Sequence, residues 1–250
     1  KMGDFTSKIN ITTTQEFISI SQVYNNTLDD IKRLITENEE RAARNVLSEL
    51  EALETQFNPH FLFNTLETIR FTIDIDPINA KNIVKLLSNI LRYSINKDYQ
   101  MVMIGQDLEF IKCYLQIQSL RFKERFHYVM DIEPEAESCV IPKLIIQPLI
   151  ENAVKYGFVG KIELFVEIHA RIRNDNLIIL IKDNGTGIPH RKLLELKGII
   201  NQENNTSSHI GLHNVQRRIK LTYGMDYGLE IDSKFGEGTT LTIKIPVRYY

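Results

Sequence analysis

The chain has 250 residues and a formal net charge of −2 at pH 7, and 43% of its residues are hydrophobic. This near-neutral charge offers no basic patch for nucleic acid and no polybasic segment for a membrane surface, so we expect no nucleic-acid partner. The two cysteines, Cys113 and Cys139, lack metal-ligand spacing and are typical of reduced thiols inside a cell. No apolar run is long enough to cross a bilayer. The sequence begins Lys-Met-Gly-Asp-Phe, and we expect it to be part of a longer protein.

Helical spacing dominates the first half of the chain. From about Glu16, apolar residues recur every three or four positions, as at Leu28, Ile31 and Ile35. Such spacing over several turns is typical of a coiled-coil seam, which predicts a homodimer. The alternative is an amphipathic helix packed on its own domain. We predict that this helix continues to about Phe71.

Further helices and strands follow. Turn signals at residues 74–77 precede a second helix at 78–96, which predicts a helical hairpin, and two hairpins would form a four-helix bundle. A third helix is predicted at 106–122. Beyond it we predict strands at 127–132, 162–172, 177–182, 229–234 and 239–247, and helices at 142–156, 191–199 and 212–223. This order favours an α+β fold with helices layered on one sheet, and the polar run 201–208 is a candidate mobile loop.

The most unusual segment is residues 57–64, Phe-Asn-Pro-His-Phe-Leu-Phe-Asn. Proline inside a helix removes a hydrogen bond and costs about 3 kcal/mol, and here Pro59 stands directly before His60. A lone histidine on an apolar helix is usually a core residue, but a kink beside a nucleophilic side chain favours function. The segment resembles the phosphoacceptor box of the LytS/YesM-type sensor histidine kinases, which makes His60 the expected phosphoacceptor.

Four segments of the C-terminal half form a second pattern, at residues 147–157, 183–188, 210–215 and 236–240. In this order they resemble the nucleotide-binding boxes of the GHKL ATPase fold, which histidine kinases share with DNA gyrase. The resemblance implies an α/β sandwich that binds ATP with Mg²⁺.

The first of these segments has residue types that suit a metal-bound nucleotide. An amide oxygen is a ligand type that Mg²⁺ prefers, and the resemblance makes Asn152 the metal-binding residue. Glu151 could polarise a metal-bound water. Lys155 could reach a phosphate oxygen and Tyr156 could stack on ribose or adenine. The alternatives are a surface charge for Lys155 and a half-buried ring for Tyr156.

The second and fourth segments suit the base of the nucleotide. A carboxylate can accept a hydrogen bond from the exocyclic amine of adenine, and glycines let the backbone approach the ring. The resemblance therefore makes Asp183 the adenine-binding residue, followed by Gly185 and Gly187. The alternative for Asp183 is a turn cap. Thr239 lies on a closing strand, where its hydroxyl could touch the nucleotide.

The third segment suits phosphate. Gly211 and Leu212 stand at a helix start, where backbone amides can hold phosphate. The family usually has Gly-x-Gly-Leu here, and His209 replaces the first glycine, which bears on the lid conformation. Arg217 and Arg218 could reach phosphates, or they could form a solvated helix face.

A nucleotide site and a separate nucleophilic histidine imply phosphoryl transfer. An imidazole is largely uncharged at cellular pH, so its nitrogen can attack. Asn64 lies one helical turn after His60 and could sit beside the ring, where it would orient the histidine or position a water. Many histidine kinases have an acidic residue directly after the histidine. This chain has Phe61, so the sequence does not fix the proton acceptor.

The resemblance covers nearly the whole chain and predicts three parts. Residues 1–36 are expected to be a HAMP remnant and linker helix, residues 37–125 a dimerisation and phosphoacceptor domain, and residues 126–250 a GHKL domain. The family also implies a homodimer, the receiver domain of a response regulator as partner, and a position as the cytoplasmic portion of a bacterial cell-membrane protein, with membrane contact only through segments missing here. The alternative is an ATP-binding GHKL scaffold without kinase activity, which the departures at residues 61 and 209 keep open. A GHKL ATPase clamp is disfavoured because it would not need the Pro-His helix.

Overall fold

The structure, a computed structural model, describes residues 24–38, 59–96, 100–200 and 210–250. The chain divides into two compact units, residues 1–59 and residues 60–250. In the first unit, helix α1 covers residues 24–38, with Leu28 buried and Leu34 and Ile35 exposed. Four predicted features lie outside the described residues: positions 1–23 of the predicted HAMP remnant and linker helix, the passage of the long helix through residues 39–58, the loop at 201–208 and His209.

Three helices open the second unit: α2 at Pro59–Ile75, α3 at Pro77–Ile95 and α4 at Ile104–Phe122. Helix α2 ends four residues beyond the predicted end, and the predicted turn is a single residue, Asp76. Its carboxylate accepts the backbone N–H of Asn79 at 3.0 Å and so caps α3. Pro77 fits the first turn because the N–H that it lacks would have no helical partner there.

Helix α4 packs against α3. The face of α3 predicted to be apolar is buried, with Ile83, Leu86, Leu87 and Ile90 in the core. Rings from the helices also meet, with centroids 5.0 Å apart for Tyr93 and Phe110. Among the described residues, no helix is both long and apolar enough to span a membrane.

Seven strands form two sheets in the described part of the chain. Strand β1 (Met101–Met103) pairs antiparallel with β3 (Val140–Pro142). The larger sheet has the order β2-β4-β5-β7-β6, and its strands are β2 (Phe126–Ile132), β4 (Leu164–Arg173), β5 (Asn176–Asp183), β6 (Gly228–Lys234) and β7 (Gly238–Pro246). Strands β2 and β4 are parallel and the other neighbours are antiparallel. Asn174 and Asp175, both at positive φ, form the predicted hairpin turn between β4 and β5.

Helices cover one face of this sheet. A 3₁₀ turn at Lys123–Arg125 and α5 at Pro134–Glu137 are short connectors, while α6 (Gln147–Gly157), α7 (His190–Ile200) and α8 (Ile210–Tyr223) pack on the strands. Alternate residues of β5 face this layer, and Leu177, Ile179 and Ile181 are buried. The predicted α+β fold, with a helical region followed by a GHKL-like sheet domain, is therefore confirmed.

The predicted helix at 142–156 is wrong at its start. Residues 140–142 form β3, because Ile141 pairs with Val102 of β1. Leu144 has a φ of 61°, which a right-handed helix cannot contain. The helix therefore begins at Gln147, five residues later than predicted.

Candidate active site

His60 lies in the first turn of α2 with its side chain exposed. The amide nitrogen of Asn64 is 3.0 Å from its Nδ1 and 3.1 Å from its Nε2. The four-residue spacing thus places Asn64 beside the ring, as predicted. The arrangement leaves an accessible imidazole with one polar neighbour that can orient it.

The next residue anchors this turn to the protein. Phe61 is buried, and its ring lies 4.8 Å from the ring of Tyr114 on α4, centroid to centroid. Thr65 donates to the carbonyl oxygen of Phe61 at 2.8 Å. Position 61 is the one at which many histidine kinases are expected to have an acidic residue. In this chain the buried Phe61 ring fixes the helix there, and the His60 side chain is exposed.

Asp183 ends β5 and is only 7% exposed. The backbone N–H of Gly185 donates to its Oδ1 at 2.8 Å. Burial raises the pKa of the Asp183 carboxyl, and hydrogen bonds from the backbone N–H groups of Gly185 and Thr239 oppose that rise. A carboxylate can accept about four hydrogen bonds, so this one can accept a further hydrogen bond from a ligand.

The glycines after Asp183 are required by close backbone contacts. A Cβ on Gly185 would lie 2.5 Å from the Cα of Gly157 at the end of α6. Gly187 has a φ of 67°, and a Cβ there would collide with the carbonyl oxygen of Lys234. The loop of residues 183–188 is therefore pressed against both α6 and the β6–β7 hairpin, which brings the first, second and fourth sequence segments together.

Ser233 is a further residue of this cluster, and sequence reasoning missed it. Its hydroxyl donates to the carbonyl oxygen of Gly238 at 2.8 Å and accepts the backbone N–H of Ile188 at 2.9 Å. Because its one proton is used, the Thr239 hydroxyl, 2.9 Å away, is the donor between these two side chains. Ser233 thus holds the 183–188 loop against β7, and no motif in the sequence indicates this.

Helix α6 carries the first segment. Glu151 and Asn152 are half-buried, and the side-chain amide of Gln147 donates to Glu151 at 2.7 Å. Lys155 and Tyr156 are exposed, with the Lys155 ammonium 5.0 Å from the centre of the Tyr156 ring. In the part of the chain that is described, no group of three or more His, Cys, Asp or Glu side chains could hold a metal ion.

Helix α8 starts beside α6. A Cβ on Gly211 would lie 3.6 Å from the Cβ of Pro148, in ordinary contact, and Leu212 is buried. Arg217 is exposed, which agrees with the expected alternative of a solvated helix face. Arg218 fits neither expectation, because its guanidinium donates to the carbonyl oxygens of Lys143 at 2.6 Å and Gln100 at 3.3 Å.

Comparison with known families agrees with this arrangement. Residues 48–126 match the histidine kinase family, and residues 140–249 match the family described as histidine kinase-, DNA gyrase B- and HSP90-like ATPases. The first match is to the domain found in LytS/YesM-type kinases. The chain therefore belongs to the histidine kinases.

Its relatives are sensor kinases. The chain is 35% identical over 211 residues to Sensor protein kinase HptS of Staphylococcus aureus, an alignment that covers 84% of this chain and 40% of the relative. The chain thus spans about two fifths of the length of the curated relatives that it matches.

Solved structures that match this chain include the histidine kinase domain of the blue-light activated histidine kinase EL346 from Erythrobacter litoralis, with a TM-score of 0.43, 14% identity and 82% coverage of both chains. Another is the catalytic domain of histidine kinase ThkA, with a TM-score of 0.47, 12% identity and coverage of 61% of this chain and 99% of that one.

Proposed function

We propose that this chain is the kinase core of a two-component sensor. It transfers the γ-phosphoryl group of ATP to His60 and then to an aspartate in the receiver domain of a response regulator. The observation that carries the proposal is the exposed His60 with Asn64 against its ring nitrogens, in a chain that also builds a glycine-lined cradle around the buried Asp183. An ATP-binding scaffold would not need the first of these features.

The transfer to His60 forms one bond to the γ-phosphorus and breaks another. The lone pair of one ring nitrogen forms a bond to the γ-phosphorus, and the bond from that phosphorus to the bridging oxygen breaks, with ADP as the leaving group. The proton on the other ring nitrogen then passes to a base, for which Glu151 is our candidate. In the second transfer, the nitrogen–phosphorus bond breaks as a carboxylate oxygen of the regulator forms a bond to phosphorus. Both reactions depend on positioning and on charge neutralisation.

The adenine end of ATP would be held by Asp183, Gly185, Gly187 and Thr239. The rest of the nucleotide would contact the backbone at Gly211 and Leu212 and the side chains of Lys155 and Tyr156. The amide oxygen of the half-buried residue Asn152 fits Mg²⁺, because this cation is usually bound by one or two protein oxygens together with waters and substrate phosphates. Bound Mg²⁺ supplies charge neutralisation at the phosphates. Gln147 orients Glu151 beside that position.

We also propose the wider setting. The domain boundary at residue 125 is supported by the family matches to 48–126 and 140–249, and we propose the boundary at residue 36 from the resemblance alone. We propose a HAMP linker at the start from the sequence Gly-Asp-Phe at residues 3–5. The kinship with a sensor protein kinase supports a place as the cytoplasmic part of a bacterial membrane-associated protein. Sequencing of the complete gene tests this, and a parent protein without a membrane segment would contradict it.

A homodimer is supported by the apolar side chains that α2 and α3 expose. More than half of the surface of each of these side chains is accessible: Phe63, Leu66, Phe71, Ile73, Ile75 and Ile78. Exposed apolar side chains in this number indicate a protein interface. We expect Leu66→Glu to convert a dimer into a monomer in light scattering, with Glu67→Gln on the same helix as control. A wild-type monomer, or a dimer that Leu66→Glu leaves intact, would contradict this interface.

The test of the proposed reaction is incubation of the chain with γ-labelled ATP and Mg²⁺. We expect label that acid removes and base does not, because the nitrogen–phosphorus bond of phosphohistidine is labile in acid. A receiver domain added afterwards should accept the labelled phosphoryl group, so that the label on this chain decreases. An acid-stable label would exclude histidine as the acceptor. Bound ATP with no label at all would favour the scaffold alternative.

A further inference from the structure

We propose that Arg218 is a positioning residue that couples the elements of the proposed nucleotide site, α8 and the larger sheet, to the C-terminal end of α3. This inference rests on the proposed function, since α3 follows the phosphoacceptor helix α2 with only Asp76 between them. The link consists of Arg218, Lys143 and Asp107, which join α8, α3 and α4 through hydrogen bonds in the protein interior.

Arg218 makes the first connection. It is half-buried on α8, and its guanidinium donates to two carbonyl oxygens from different parts of the chain, those of Lys143 and Gln100. Lys143 follows β3, and Gln100 precedes β1. An arginine can serve two such acceptors at once because its donors lie in a fixed plane.

Lys143 makes the second connection. It is only 8% exposed, although lysine is rarely buried. Its ammonium group donates to the carbonyl oxygen of Asn96, the C-cap residue of α3, and lies 4.5 Å from the centre of the Tyr93 ring. A positive charge at a helix C-terminus is stabilising. The Arg218 and Lys143 side chains therefore form a continuous path from α8 to the last turn of α3.

Asp107 fixes residues 143 and 144, which lie between Arg218 and the last turn of α3. It is fully buried on α4, and its Oδ1 accepts the Tyr93 hydroxyl and the Leu144 backbone N–H, both at 2.9 Å. Leu144 has a φ of 61°, a conformation that a non-glycine residue keeps only when its surroundings impose it. Residues 143 and 144 thus cannot shift without disturbing α3 or α8.

The other end of α8 faces the nucleotide. Gly211, at the proposed phosphate-binding start of α8, lies about 10 Å along the helix axis from Arg218. Gln216, between them, accepts the Leu229 backbone N–H at 2.6 Å and fastens α8 to β6. The helix therefore moves with the sheet that carries Asp183. Arg218 consequently sets how α8 and the larger sheet are held against α3. It thereby controls the approach of the γ-phosphate to His60.

The experiment compares wild type, Arg218→Met, Arg218→Lys and the control Arg191→Met, which removes an arginine that is 94% exposed on α7. We expect Arg218→Met to lower the rate constant of His60 phosphorylation at saturating ATP about tenfold or more, with the KM for ATP changed by less than about threefold. Arg218→Lys keeps one donor group, so its rate constant should lie between those of wild type and Arg218→Met. Arg191→Met should match wild type.

A second readout follows the coupling itself. In wild type and Arg191→Met, binding of a non-hydrolysable ATP analogue should slow amide hydrogen exchange at residues 93–96 and 100–104. Arg218→Met should lose this nucleotide-dependent protection. Because the readout needs no phosphorylation, it separates failure of this inference from failure of the proposed kinase activity.

Three results would overturn the coupling role. One is equal rate constants and equal protection in Arg218→Met and Arg191→Met. Another is a large rise in KM with an unchanged rate constant, which would place Arg218 in the nucleotide site. The third is a loss of activity that tracks only the fraction of unfolded protein, measured by circular dichroism, with the folded Arg218→Lys variant behaving as wild type.

Discussion

Replacing His60 with glutamine will abolish phosphoryl labelling of this chain and leave ATP binding unchanged. Glutamine keeps a polar side chain at an exposed helix position but has no nucleophilic ring nitrogen. Because Phe61, and not His60, packs on Tyr114, the substitution should not disturb the anchoring of α2. We expect labelling with γ-labelled ATP to fall below detection, while the dissociation constant for ATP, measured by calorimetry, stays within about twofold of wild type.

His190→Gln is the matched control, because His190 is also exposed at the start of a helix. It should label as wild type does. Label that persists in His60→Gln would contradict the phosphoacceptor assignment and direct attention to the other histidines. Loss of label together with loss of ATP binding would instead show that the substitution disturbed the fold.

The contact with Asn64 refines this prediction. An amide presents a donor on one side and an acceptor on the other. In the structure the amide nitrogen faces the ring nitrogens, so its N–H can donate to the unprotonated nitrogen and hold the ring in one orientation. Asn64→Ala should therefore label more slowly than wild type, without the complete loss that His60→Gln produces.

The long, regular features of this fold were predictable from local sequence. The apolar spacing in α3 gave the buried face that contains Ile83 and Ile90, and Asp76 was within the predicted turn. The β-rich run predicted at 177–182 lies within β5, which covers Asn176–Asp183. These signals are visible because a helix or a long strand repeats the same requirement at each turn or pair of residues.

The rest depended on contacts between distant parts of the chain. Strands β1 and β3 have three residues each, too few to show alternation, and each exists because the other pairs with it. The pairing of Arg218 with the carbonyl oxygen of Lys143 joins residues 75 positions apart. Ser233 holds a loop 45 positions earlier in the chain through its hydroxyl. No local pattern indicates which backbone group such a side chain will meet.

Asp183→Asn is expected to weaken ATP binding about 100-fold, which corresponds to about 2.7 kcal/mol. In the wild type, Oδ1 accepts the Gly185 N–H at 2.8 Å and the Thr239 N–H also donates to the carboxylate. Its remaining acceptor sites would take the amine of adenine. An asparagine has only one oxygen. Its NH₂ group must then face either the Gly185 N–H or the adenine amine, so that two donors meet in a buried site.

The same variant should change base selectivity. Guanine has a carbonyl oxygen where adenine has its amine, and that oxygen would face the carboxylate of Asp183 with no proton between them. Wild type should therefore prefer ATP to GTP, and Asp183→Asn should lose most of this preference. Calorimetric titrations with both nucleotides measure it, with the exposed Asp232→Asn as control. A selectivity unchanged in Asp183→Asn would place the adenine elsewhere.

The pH dependence of ATP binding gives an independent check on Asp183. Binding to the amine of adenine needs the ionised carboxylate, and burial raises the pKa of this group above its ordinary value. The affinity should therefore fall as the pH is lowered, beginning at a higher pH than an exposed aspartate would cause. In Asp183→Asn this part of the pH dependence should vanish, because the amide does not titrate. An unchanged pH profile in the variant would show that another group controls the affinity.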